Sequence, residues 1–235
     1  MSLGASNTVR EVVLAYPAAA RTLEKFGIDY CCGGSKSLAE ACTNAGVPVE
    51  KVIGALETPQ PVPDARDWQT ASLAELTGHI VEKHHAFTRE EIERLKALIA
   101  KVNSVHGANH PELSQVQSIF GGLERELTMH MMKEEQILFP YIEELEAAVS
   151  AKRSLPSCMF GTVQNPIRMM MMEHDDAGNA LREMRAATNS YTPPTDACAS
   201  YQELYRALPA FEADLHEHIH LENNILFPRA IQMEE

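Results

Sequence analysis

His130-Met131-Met132-Lys133-Glu134-Glu135-Gln136-Ile137-Leu138-Phe139-Pro140 is the stretch that decides the fold. On a helix, His130 and Glu134 stand one turn apart on the same face, about 6 Å from each other. An imidazole and a carboxylate placed that way can grip one cation, or two adjacent ones. The segment recurs as His218-Ile219-His220-Leu221-Glu222-Asn223-Asn224-Ile225-Leu226-Phe227-Pro228, so the pattern H-x-x-x-E-x-x-I-L-F-P occurs twice. One such pair arises by chance on many helices. Two with the same spacing imply two helices that present matching faces to a common site.

Outward from these segments the chain reads as helical. Ser72-Leu73-Ala74-Glu75 has the form of a capping box. Leu73, Leu76, Ile80, Phe87, Leu95, Leu98 and Val102 then recur at three- and four-residue intervals, which predicts a helix to about residue 101. A second helix starts at His110-Pro111 and runs through the first motif to about residue 149, with a bend expected at Gly121-Gly122. Residues 150–162 read as a loop, and about 166–188 as a third helix. Asn189 to Pro194 is a break, and about 196–231 is a fourth helix carrying the second motif. No strand competes. Four long amphipathic helices with connections of roughly 8–15 residues predict an all-α, antiparallel four-helix bundle over 71–235.

In that topology the second and fourth helices run the same way and face each other across a pseudo-twofold axis. The first and third should each add a ligand. The third offers His174, in Glu173-His174-Asp175-Asp176; the first offers His79, His84 and His85. Apolar periodicity puts His84 nearer the centre of the buried stripe and His85 on its flank, and does not choose between them. Four imidazoles with Glu134 and Glu222 suit two divalent ions with bridging carboxylates. Nitrogen and oxygen ligands without thiolate favour iron or manganese, with zinc next. The bland alternative makes both glutamates solvated surface residues. The duplicated motif and His174 weigh against it, because buried carboxylates need a cationic partner. His106 lies about 30 Å beyond His85 on a straight helix and is set aside as a ligand. His216 and His220 flank His218 and are expected in solvent. Met129, Met131, Met132 and the run Met169 to Met172 read as adaptable packing rather than a Cu(I) site, because successive helical residues point in different directions.

Residues 1–57 read as a small helical unit. Thr8-Val9-Arg10-Glu11 is a second capping box, Pro17 opens and Gly27 closes the next helix, and short helices follow at 38–45 and 48–56. The unit is too short to bury much apolar surface alone. Asp29-Tyr30-Cys31-Cys32-Gly33-Gly34 is a turn whose glycines are expected to leave it accessible. Cys31 and Cys32 have three readings: a structural pair, a readily reduced redox couple, or a thiolate site that receives or passes on iron. Cys42, Cys158 and Cys198 read as incidental. Residues 58–70 form a linker, since the alternating Pro59, Pro61 and Pro63 forbid a helix.

A net charge of −13 over 235 residues makes the chain a poor ligand for nucleic acid or anionic membranes. No apolar run reaches the length of a membrane span, and Met1 to Tyr16 lacks a basic segment followed by an apolar one. Five irregularly spaced cysteines argue against a disulfide framework and for reduced thiols in a cytoplasm.

The cysteine turn at 29–34, followed by a bundle with the motifs at 130–140, 173–178 and 221–228, resembles the iron–sulfur cluster repair di-iron proteins of the ScdA/YtfE type, whose C-terminal domain is hemerythrin-like. The resemblance covers nearly the whole chain. It implies a pair of non-haem iron ions, carboxylate-bridged and optionally oxo-bridged, in a bacterial cytoplasmic protein. It also implies repair of iron–sulfur clusters damaged by nitric oxide or peroxide. Carried over by position, the ligands are His85, His130, Glu134, His174, His218 and Glu222. His85 is favoured over His84 because the matching histidine lies six residues beyond the equivalent of His79. Damaged or apo iron–sulfur proteins become the expected partners, with homodimerisation through the small domain. Iron donation, with Cys31 and Cys32 assisting, competes with reversible sensing of oxygen or nitric oxide and with enzymatic reduction of nitric oxide or peroxide.

Overall fold

The computed structural model describes residues 3–16, 18–57, 66–157 and 159–235. The readings placed on Pro17, on Cys158 and on the proline-rich part of the linker lie outside them. Among the described residues the chain is helical, with no strand beyond a single antiparallel bridge between Thr8 and Ser37.

Four short helices come first: α1 (Val9–Ala15), α2 (Ala19–Lys25), α3 (Leu38–Asn44) and α4 (Val49–Leu56). The capping box at the start of α1 is formed in both directions, with Glu11 N–H donating to Thr8 Oγ1 and Thr8 N–H to the Glu11 carboxylate. Gly27, at φ 67°, closes α2, and Ile28 N–H folds back onto Leu23 O at 2.9 Å. Val9, Val12, Leu23, Leu38 and Val52 gather into a separate apolar cluster.

Four long helices make the bundle. They are α5 over 73–106, α6 over 112–150, α7 over 164–187 and α8 over 199–234. The start of α5 packs on the end of α6, and the end of α8 on both, as up-and-down packing requires. The 107–111 connection is tighter than expected. Side chains distant in sequence satisfy two helix starts. Glu146 accepts from Leu73 and Ala74 N–H at α5. Glu234 accepts from Val163 N–H just before α7, and from the Tyr141 and Thr162 hydroxyls.

The helix continues without a break through Gly121-Gly122. The departures from α-geometry are three wide, π-type turns: Ile80–His85 in α5, Glu134–Leu138 in α6 and Glu222–Leu226 in α8. Two have a cause in the sequence. Pro140 and Pro228 lack an N–H and would clash with the carbonyls of Gln136 and Asn224 in a regular helix. The chain widens instead, and Phe139 and Phe227 N–H bond to Glu134 O and Glu222 O, five residues back.

The bundle core is layered. One apolar cluster contains Ile92, Leu127, Leu181 and Leu215; another contains Ile80, Leu138, Met170 and Leu226. Between them, on all four helices, lies a buried layer of His85, His130, Glu134, His174, His218 and Glu222.

Candidate metal centre

Each long helix contributes to this polar layer. His85 ends the wide turn of α5, His174 lies on α7, and the pairs His130/Glu134 and His218/Glu222 lie on α6 and α8. Both glutamates stand at the first position of a wide turn, so one proline-driven irregularity sets the same local geometry twice. The wide turn of α5 also explains why periodicity could not choose on that helix. A π-turn shifts the register by one residue, and His84 and His85 are both fully buried.

The six side chains form two groups that share both carboxylates: His85, His218, Glu134 and Glu222; and His130, His174, Glu134 and Glu222. His85 and His218 bring their Nε2 atoms to 3.1 Å, and His130 and His174 theirs to 3.0 Å. Glu134 Oε2 lies 3.4 Å from His85 Nε2 and 3.3 Å from His130 Nε2. Glu222 lies 3.0 Å from both His174 Nε2 and His218 Nε2. Ligands bonded at about 2.1 Å to one ion lie about 3.0 Å apart at octahedral angles and about 3.4 Å apart at tetrahedral ones. The observed spacing fits a shared cation.

The tautomers point the same way. His85 Nδ1 bonds to Glu135 at 2.7 Å, His130 Nδ1 to Glu173 at 2.9 Å and His174 Nδ1 to Asn223 Oδ1 at 2.9 Å. With Nδ1 engaged by these acceptors, each ring turns Nε2 inward, as metal-binding histidines do. Facing Nε2 atoms at this distance need a proton or a metal cation between them. Both Glu134 oxygens and Glu222 Oε2 are buried without a hydrogen-bond partner, a costly state that metal ligation would relieve.

The electrostatics express the same demand for positive charge. Burial and the neighbouring Glu222 push the Glu134 carboxyl up, but His130 and His85 hold it below its ordinary value. Burial likewise opposes ionisation of Glu222, and His218 and His174 overcome it. Burial lowers His130, yet Glu134 and Glu173 raise it to about 10. A divalent cation would supply that charge to the same oxygens.

Glu135, Glu173 and Asn223 were missed in the sequence, although each adjoins a candidate ligand. They were hidden because each serves a histidine on a different helix. Asn223 also reaches the small helical unit, its Nδ2 donating to Cys31 O at 3.4 Å. Cys32 Sγ lies 3.6 Å from His174 O. The cysteine turn is therefore not open, as its glycines had led one to expect. Cys31 is buried, and Asp29 Oδ1 accepts from the N–H groups of Cys31, Cys32 and Gly33. The two sulfurs are 3.9 Å apart and unbonded. The contact with Cys32, burial and Asp29 all push the Cys31 thiol well above its ordinary value.

Two histidines expected in solvent are covered by the same docking. His220 is 8% exposed; its ring meets Tyr30, and its Nδ1 accepts from Asn224 Nδ2 at 3.0 Å. His216 pairs with Glu24 at 3.2 Å. His106 lies at the far end of the bundle, 3.2 Å from Cys198 and outside both groups.

Residues 77–230 match the family described as the hemerythrin HHE cation binding domain, and residues 5–60 match the ScdA_N family, a domain of unknown function. The chain is 39% identical over 222 residues to an iron-sulfur cluster repair protein of Citrobacter koseri, covering 94% of each chain. The Escherichia coli O157:H7 protein of the same description is 38% identical over the same share of both chains. A probable iron-sulfur cluster repair protein of Haemophilus influenzae is 36% identical over 234 residues, 97% of each chain. The chain belongs to the iron–sulfur cluster repair family. The all-α hemerythrin-like bundle read from the sequence is the fold found. Within this family member the buried His/Glu layer falls inside the cation-binding match and the cysteine turn inside the N-terminal one. Among the described residues no helix is long and apolar enough to cross a membrane.

Proposed function

We propose that this chain holds two iron ions between His85, His130, Glu134, His174, His218 and Glu222 and gives up iron to rebuild damaged iron–sulfur clusters. The observation that carries the reading is the convergence of four Nε2 atoms on two shared, buried carboxylates, three of whose oxygens lack a hydrogen-bond partner. The relatives' description as cluster repair proteins supplies the process. Bound iron would be both the redox-active group and the cargo.

The protein's part is to hold and then release. Glu135, Glu173 and Asn223 hold His85, His130 and His174 at Nδ1 and keep each Nε2 turned to the centre. Lys133 and Arg89 pair with Glu173 and Glu135, so the outer carboxylates remain ionised. Asn223 bonds on one side to His174 and on the other to the cysteine backbone, which couples the centre to the thiol pair through one side chain. Opening the cysteine turn breaks an Asn223 bond and loosens His174, so iron release and thiol exposure are one event. The acceptor is then a cluster-free iron–sulfur protein whose own thiolates compete for the ion.

The test is metal analysis of the isolated protein, followed by tracking of iron after a cluster-free acceptor is added. Two irons per chain, moving to the acceptor more slowly when Cys31→Ala and Cys32→Ala are combined, is the expected result. Iron near zero with a folded bundle refutes the centre. Iron that stays bound while nitric oxide or oxygen binds reversibly favours sensing, and many turnovers of product favour catalysis.

A further inference from the structure

His84 is left over by the centre just described. Its side chain is wholly buried, with Nδ1 3.1 Å from Asp214 Oδ1 and Nε2 without a hydrogen-bond partner. Asp214 keeps its second oxygen, Oδ2, buried and unpartnered as well. Glu217, one turn along α8 and half exposed, completes a group whose ligand atoms all lie within 4.8 Å of one another. On its inner side the His84 ring stacks on His218, with centroids 5.8 Å apart and planes at 12°. On its outer side Asp214 and Glu217 line a cavity of about 970 Å³ between the small helical unit and the bundle, together with Tyr30, Trp68, Lys83 and Phe87. The group therefore spans the wall between an open space and the candidate ligand His218.

We propose that His84, Asp214 and Glu217 form a third divalent-cation site, weaker than the buried pair, at which iron is staged as it enters or leaves the centre through this cavity. One imidazole and two carboxylates suit Fe2+ or Mn2+. The orphaned atoms of His84 and Asp214 show desolvated polar groups that lack a partner. Weakness follows from the make-up of the site. Three protein ligands leave the remaining positions to water, and Glu217 is already engaged by Lys83 Nζ at 3.1 Å. A cation that recruits Glu217 competes with Lys83 for its negative charge, which weakens occupancy. The inference rests on the two-iron reading for its role, but not for its existence, since none of its three residues belongs to either shared-carboxylate group.

Mn2+ titration of the metal-free full chain, followed by electron paramagnetic resonance, tests it. The wild type is expected to bind a third equivalent that gives an isolated six-line signal and is the first to leave when chelator is added. Asp214→Asn with Glu217→Gln should lose that equivalent and keep the other two, and should slow iron loading about tenfold, the lower end of what removing a metal's supporting groups costs. Lys83→Gln should act in the opposite direction and tighten the third equivalent by about two- to fivefold, the worth of an exposed ion pair. Two equivalents in every variant overturn the third site and leave the buried centre intact. A third equivalent indifferent to Asp214, Glu217 and Lys83 also overturns it. Fewer than two equivalents in the wild type overturn the two-iron reading; the third site then stands only if the remaining isolated signal disappears with Asp214→Asn and Glu217→Gln.

Discussion

Replacing Asn223 by Leu removes one side chain that serves two places. The shapes are similar and the site is buried, so the change acts through lost hydrogen bonds rather than a cavity. On the centre side, His174 Nδ1–H loses its acceptor at 2.9 Å. Outer-shell partners of metal-bound histidines are worth about 10- to 100-fold in metal affinity, or roughly 1.4–2.7 kcal/mol. On the other side, Cys31 O loses a donor at 3.4 Å, a long bond that contributes about 0.5–1 kcal/mol. The metal term should therefore exceed the docking term. Competition with a chromophoric chelator should show iron bound 10- to 100-fold more weakly. Denaturant unfolding of the metal-free protein should fall by on the order of 1–3 kcal/mol, because the imidazole N–H is left buried and unpaired. Asn223→Asp keeps the acceptor for His174 and loses only the donor to Cys31, so it should hold iron more tightly than Asn223→Leu but release it to an acceptor faster than the wild type. Metal affinity unchanged within threefold in Asn223→Leu would refute the assignment of His174 as a ligand, and with it the coupling to the thiols.

Three further outcomes follow from named contacts. Glu134 belongs to both four-residue groups and His85 to one, so Glu134→Gln should reduce metal content from two ions toward none, while His85→Ala leaves one; equal losses in elemental analysis contradict the sharing. A Cβ on Gly34 would stand 2.6 Å from Asn224 Oδ1, and Asn224 is held by Tyr30 O and His220. Gly34→Ala should thus cost about 1–3 kcal/mol of thermal stability and raise protease sensitivity before residue 57, with the bundle's helicity kept. Glu234 is pushed up by burial, but its bonds to Thr162, Val163 and Tyr141 hold it below its ordinary value. Its contribution is therefore present above the unfolded carboxyl range, near pH 4.5, and is lost as pH falls through the lower folded value. Glu234→Gln should destabilise at pH 7 and give a shallower acid limb in pH-dependent unfolding; parallel curves would disprove the role.

Capping residues, apolar periodicity and loop breaks were enough to give four long helices, and the repeated histidine–glutamate spacing in 130–140 and 218–228 gave the facing of two of them and the residue types of the shared layer. Short-range chemistry decides those features. Capping boxes, helical periodicity and a proline that cannot donate all act within a few residues. The placement of His85, Glu135, Glu173 and Asn223 was decided only by tertiary structure. The wide turn in α5 rotates His84 and His85 together into the core, and no proline marks it. The outer-shell partners act across helices, where sequence separation carries no signal. Burial of the cysteine turn and of His220 has the same origin, since each is covered by a part of the chain about 190 residues away. Local pattern therefore determined which residues could bind metal, and packing determined which of them face one another and what holds them there.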